Sequence, residues 1–442
     1  MFEFGRELRR LFMAEPSRDP APLADPAPLE RLDLKLLRKE AGAADAAAGR
    51  PGKGRPERLV EASAVWRELA RRTGDPAALR KAAVEAELAA AAFGEDGCRE
   101  GLGQAMAAQA AAAMLGADLL GQERMNAVAS RILKAAPDIC GVRAARARLL
   151  ARKTLAAGGL DEVRTAAARY DAALAGLDAR DPGRRYAAAQ LRRDRAELLI
   201  ACGGRQHEPH LVEQALADLD KAAAGLDPTT HPVTLARIAT ARGEALVRLA
   251  EMDGDVSLAL EAVDVCAEAL DLAGPGHSPL DWARAQHGRA SALMTVGLLG
   301  ESEAAFERAL DGLGRALSVV GDGTAPALRA GVAQDRAACL VRRAELRGDA
   351  FALDEAEAVL RSELSRLPAA PDPTAWGLLQ LNLARIYLAR WRGRGSDRGE
   401  RASAGEALAA ALDVFTERGQ RSLALIASAE LERLRDGAIR PV

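Results

Sequence analysis

Four arginines recur on one step of the chain: Arg195, Arg242, Arg289 and Arg336 stand 47 residues apart. A guanidinium offers its N–H donors in a planar fork, so such a row along a groove would bind acidic segments or a C-terminal carboxylate. The alternative is structural. Each arginine then lies along its own aliphatic stem and pairs with Glu197, Glu244 or a carboxylate on the adjoining helix.

Other chemistry-bearing groups are sparse. Cys202, His207 and His210, with Glu208 and Glu213, include a His-x-x-His spacing. Pro209 interrupts it, and spacing alone does not make a metal site, so no metal is expected. The remaining histidines, His231, His277 and His287, have no cysteine or histidine within a few residues. Trp391-Arg392-Gly393-Arg394-Gly395, within Arg390–Arg401, has residue types that contact RNA or phosphate. It falls in a turn, and Lys plus Arg total 61 against 63 for Asp plus Glu, a net charge of -2. No global basic field exists, and no nucleic-acid partner is expected. Gly101-x-Gly103 follows no strand, and no Gly-x-Ser-x-Gly, His-Glu-x-x-His or Gly-Lys-Ser/Thr motif is present. The expectation is a non-catalytic chain without a cofactor.

A second candidate attachment point lies at the N-terminus. Met1, Phe4, Leu8, Leu11 and Phe12 fall within an arc of about 100° if the segment is helical. Arg6, Arg9 and Arg10 back this stripe, while Glu3 and Glu7 dilute its charge. It suits docking into a partner's groove, folding back as a cap on the first hairpin, membrane association through residues 1–14, or a disordered segment. The segment lacks the uninterrupted apolar stretch of a secretory signal, and no run of about 18 apolar residues occurs anywhere. Five widely spaced cysteines, never in a Cys-x-x-Cys pair, suit neither a disulfide framework nor a zinc finger. The setting expected is cytoplasmic, with peripheral membrane association through residues 1–14 as the alternative.

Helices must position these residues. Aromatics are only 3% of the chain while Ala, Leu, Arg and Glu dominate, which disfavours a sheet. A period of 47 residues runs through the sequence. It aligns Ala188, Leu235, Trp282, Arg329 and Trp376, and equally Leu199, Leu246, Leu293, Leu340 and Tyr387. Small residues keep the same step at Ala196, Gly243, Ala290, Ala337 and Ala384. In the second half of each unit the rows are Ala215, Ala262, Ala309, Ala356 and Ser403, and Leu219, Cys266, Leu313, Leu360 and Ala407. Pro232, Pro279, Pro326 and Pro373 mark the connections. In the unit at Ser278 the pattern predicts one helix from Leu280 to Val296, a turn over Gly297–Gly300, and a second helix from Ser302 to Val320. Cys266 and Cys339 occupy leucine and alanine slots and read as core.

The unit Trp282–Leu310 (WARAQHGRASALMTVGLLGESEAAFERAL) resembles a tetratricopeptide repeat. The resemblance makes Ala290 the small residue of close approach, Leu293 the large residue one turn later, and Gly297 the turn glycine. It places Phe306 and Ala309 on the second helix; Trp376, Leu383, Ala384 and Tyr387 fit the last regular unit. The family's usual period is about 34 residues, and the excess is placed in a longer second helix and its loop. The apolar residue expected before the small one is instead the arginine of the row above, with leucine only at Leu383. The resemblance covers about residues 184–416, and HEAT or armadillo units are the architectural runner-up.

The expected architecture is therefore all-α: a solenoid of about eight helix-turn-helix hairpins forming a superhelix. Residues 1–57 form an arm, with a short helix at Leu29, Leu32 and Leu36 and linker over 41–57. Divergent hairpins fill 58–136, the repeat array 137–416, and a capping helix and tail 417–442. The expected function is a scaffold or adaptor binding a protein or peptide, acidic if the arginine row serves it, on the concave face. The alternatives are a membrane-anchored scaffold and a small-ligand regulator or enzyme subunit.

Overall fold

The computed structural model describes residues 27–177, 181–321, 324–348, 350–366, 373–394 and 397–435. Every regular element among them is a helix. Two lead in, α1 (Ala27–Glu30) and α2 (Leu34–Ala48). Hairpins follow in order: α3 (Arg55–Thr73) with α4 (Pro76–Glu95), α5 (Arg99–Leu120) with α6 (Arg124–Ala135), and α7 (Cys140–Ala157) with α8 (Leu160–Leu174). Next come α9 (Pro182–Gln206) with α10 (Pro209–Ala223), α11 (Pro232–Asp253) with α12 (Val256–Leu272), and α13 (Pro279–Leu299) with α14 (Glu303–Val319). The last pairs are α15 (Pro326–Arg347) with α16 (Ala350–Arg366) and α17 (Pro373–Arg394) with α18 (Glu400–Glu417), closed by α19 (Arg421–Arg435). The expected all-α solenoid of helix-turn-helix hairpins is what forms.

Local chemistry sets the helix ends. The repeated prolines open α11, α13, α15 and α17, where the missing N–H has no intrahelical role. Asp75, Asp255 and Ser302 cap the N-termini of α4, α12 and α14 by accepting from backbone N–H groups. The period also explains the packing, because the small-residue row is buried at every unit. At Gly243 a Cβ would stand 2.3 Å from Cys266 Sγ, so only glycine lets α11 and α12 approach this closely. Gly297 lies in the last turn of α13 rather than in the connection. Its bare Cα receives the Phe306 ring of α14, where a Cβ would sit 2.9 Å from that ring.

Two lead-in segments differ from the sequence expectation. Residues 41–48, read as linker, continue α2, whose Leu37, Ala41 and Ala48 are fully buried. Leu29 and Leu32 are buried too, but they precede that helix rather than sharing it. An alanine-rich run reads as linker because small side chains give little amphipathic contrast; they pack here because they allow close approach.

The first helices of successive hairpins, α3, α5, α7, α9, α11, α13, α15 and α17, pack on one another and form the inner layer. The second helices form the outer layer. Winding then brings chain ends of helices together across a full turn. The C-terminal end of α3 meets the N-terminal end of α13, that of α5 meets α15, and that of α9 meets α19. Leu119 O accepts from Ala325 N across this seam, and Gly204 O accepts from Ser422 Oγ. Each contact joins a helix to the one five inner positions on (from α3, through α5, α7, α9 and α11, to α13). One core spans the seam, joining Val65, Leu69 and Leu79 to Leu280, Ala283 and Ala325. C-terminal carbonyls facing N-terminal amides also align the helix dipoles head to tail. Successive turns of the superhelix are thereby packed against one another.

Candidate functional site

The inner layer carries a cluster of charged side chains where the seam crosses it. Arg71 of α3 reaches Asp281 of α13, Nη1 to Oδ2 at 2.6 Å, and also bonds Glu68 one turn back. Arg72, fully buried, donates to Glu68, to Leu32 O and to Leu29 O. It thereby ties the lead-in segment to α3. Burial alone would raise the Glu68 carboxyl, but Arg71 and Arg72 outweigh it and hold it at about 2. Asp281 is likewise held well below the carboxylate range, since Arg71, Arg237 and Arg284 overcome its burial.

The lead-in helix completes this side of the wall. Glu30 is buried and accepts from Thr234 N at 2.9 Å, from Thr234 Oγ1 and from Tyr186 OH at 2.9 Å. Thr234 stands in the first turn of α11, so the carboxylate caps a helix whose N-cap residue, His231, makes no side-chain cap bond. Burial and the neighbouring Glu30 push the Tyr186 phenol upward, which keeps it a donor. His277 Nε2 faces Glu30 O, fastening the same segment from the α13 side. Deeper along the wall Arg193 and Arg148 share Asp194.

The arginine row singled out in the sequence sits elsewhere. Arg195 of α9 bonds Asp218 of α10, Nε to Oδ2 at 2.6 Å, and pairs with Asp171 of α8. Arg242 pairs with Asp220 and Glu261, both on second helices. Arg289 lies beside Arg308, Asp311 and Arg315 of α14, and Arg336 is exposed. The reason is helical phase. Each precedes the small residue that faces the second helix, which turns it toward the junction with the outer layer rather than the inner wall. Met1, Phe4, Leu8, Leu11 and Phe12 lie outside the described residues.

Two other candidates are placed plainly. Cys202 is buried and accepts from Arg205 Nη2, while His210 is exposed beside Gln214 and Glu213. Trp391 is buried, with the Arg401 guanidinium 5.0 Å from its ring centroid, so that face is taken. An open indentation of about 370 Å³ is lined by Asp354, Tyr387, Arg390 and Ser403. Two of its charges match each other and a neighbour, because Arg390 pairs with Asp354 and Glu357. Among the described residues no helix is long and apolar enough to cross a membrane.

The inner-wall cluster was not found from sequence, although one signal existed. Gln190, Arg237 and Arg284 share the 47-residue step, a second polar row beside the one chosen.

No protein-family profile matches the chain, and no curated protein matches it. Solved structures do, at low similarity. The apo form of RapI is 10% identical with a TM-score of 0.39, the match covering 91% of this chain and 98% of that one. A circular tandem repeat protein with novel repeat topology is 16% identical, with a TM-score of 0.24 over 91% and 88% of the two chains. Yeast Tom70 is 13% identical, with a TM-score of 0.23 over 89% and 97%.

Proposed function

We propose that the chain is a non-catalytic interaction scaffold that receives a protein or peptide partner on the wall formed by its inner helices. The observation carrying this reading is that wall itself: a continuous helical layer with charged side chains, held at fixed curvature by the seam. Such a surface presents ordered donors along its length, which suits an extended or helical partner rich in carboxylates. The described structure begins with α1, which is fastened to α11 and α13 beside this wall; residues 1–26 precede it in sequence. The amphipathic stripe within them serves in this reading as a second attachment point.

Affinity capture with the full chain, followed by cross-linking of captured partners, tests the proposal. Arg284, partly exposed on the inner wall, and Arg164, exposed on the outer α8, are compared by reversal to Glu. Arg284→Glu should release partners that Arg164→Glu retains, and cross-links should map to inner helices. Equal retention, or cross-links confined to the outer layer, would remove the inner wall from the account. Loss of capture on deleting residues 1–26 would place the second attachment there; unchanged capture would discard it.

A further inference from the structure

We infer that the inner wall holds a receptor for a single oxyanion, a carboxylate or phosphate group, built on Arg193 and Arg237 and flanked by Arg67. The Arg193 side chain is 6% exposed. Its Nη2 bonds Asp194, and its Nε lies 3.2 Å from Glu197 without hydrogen-bond alignment. Its Nη1 is buried and has no partner. A guanidinium N–H removed from water and left unmatched is costly, and proteins keep few of them without a use.

Of the neighbouring acceptors, Asp281 and Asp194 are already committed, while Glu197 lies beside Arg193 without hydrogen-bond alignment. Asp281 serves Arg71, Arg284 and Ser278 Oγ, and lies 3.7 Å from Arg237, beyond a hydrogen bond. Asp194 serves Arg148 as well as Arg193. Arg67 of α3 makes no hydrogen bond or ion pair with any described residue, and it shares Tyr186 as a neighbour with Arg193. Donors therefore exceed acceptors here. The surplus is visible in the charges: burial and the repulsion of Arg193 and Arg71 push the Arg237 guanidinium down to about 10. Burial and Arg148 lower Arg67 in the same way.

The cluster has a partly exposed edge, with Arg237 at 23%. Its floor is closed, with Asp281 at 2%, but Glu197 at 48% and Arg284 at 39% form an open rim. An oxyanion entering past them would occupy the idle donors of Arg193 and Arg237 and relieve the repulsion between them. This holds whether the anion is carried by a protein partner or by a small molecule, so it stands apart from the scaffold reading.

Thermal unfolding of the full chain in inorganic phosphate, in succinate and in chloride at matched ionic strength tests it. Phosphate or succinate should raise the melting temperature saturably by about 2–5 °C beyond chloride. A rise with phosphate alone assigns a phosphate, with succinate alone a carboxylate, and with both the shared chemistry. The rise should vanish in Arg237→Gln, whose ligand-free melting temperature should not fall, because a repelled charge has been removed. Arg193→Met is the second variant. No rise beyond chloride in the native chain, or an undiminished rise in Arg237→Gln, would overturn the inference.

Discussion

Arg71 and Asp281 are 210 positions apart and meet Nη1 to Oδ2 at 2.6 Å, joining the first inner helix of the hairpin array to the sixth. Both side chains are largely excluded from water, so the pair is a fixed joint between successive turns. Removing one partner strands the other. Arg71→Met should cost about 2–4 kcal/mol, moderated because Arg284 and Arg237 remain near Asp281. Urea unfolding measures the cost, and small-angle scattering should show a larger radius of gyration as the turns separate.

The same joint sets an acid limit. The Glu68 carboxyl sits at about 2 in the folded chain against an ordinary 4.5. A depressed folded value means that its stabilisation is whole above about pH 4.5 and drains as the pH falls toward 2. Asp281 and Asp194 are depressed too and act in the same direction. His287, raised because Asp335 outweighs its burial, and His277, lowered by burial and Arg72, oppose each other near pH 6.5. The urea midpoint should therefore fall steeply below pH 4.5. A midpoint unchanged between pH 5 and 3 would contradict the carboxylate account.

Close approach within a hairpin gives a suppressor test. Gly243→Ala places a methyl 2.3 Å from Cys266 Sγ and should destabilise by about 1–3 kcal/mol despite alanine's better helix propensity. Cys266→Ala in the same chain removes the obstructing sulfur. The double variant should be more stable than the sum of the single losses predicts, measured as a double-mutant cycle.

The lead-in helix should protect α11. Glu30→Gln exchanges a charged acceptor of two Thr234 donors for a neutral amide. A loss of about 1–2 kcal/mol is expected. Hydrogen exchange should quicken in the first turn of α11 and not in α12. Uniform quickening would mean general unfolding rather than a lost cap.

What the sequence shows of this fold is its local and nearest-neighbour structure. The 47-residue step, the proline starts and the small-residue row each act within one hairpin or between adjacent ones, where residue type alone marks the constraint. The seam depends on a rotation per hairpin that accumulates over several units, and no residue type encodes it. Arg71 and Asp281 look like ordinary surface charges until the turn closes. The row Arg195, Arg242, Arg289 and Arg336 is periodic, but period fixes spacing and not facing. The inner-wall row of Gln190, Arg237 and Arg284 lies five positions earlier, about 140° round the helix, and Ala196 beside Arg195 marks which side the chosen row takes.

Packing of successive superhelical turns is tested most directly by trapping it. A Cβ built at Gly74, at the end of α3, would stand 3.5 Å from Thr324 Cβ just before α15, within the range that a disulfide spans. Gly74→Cys with Thr324→Cys is made in a chain whose accessible Cys98 and Cys140 are replaced by Ser. Residue 74 has φ +73, so cysteine there adds about 1 kcal/mol of strain, small beside the bond's effect. Mild oxidation should join the two within one molecule, seen by peptide mapping and by altered migration without reductant. Two thiols that both react readily with maleimide yet never pair would show that the turns do not meet.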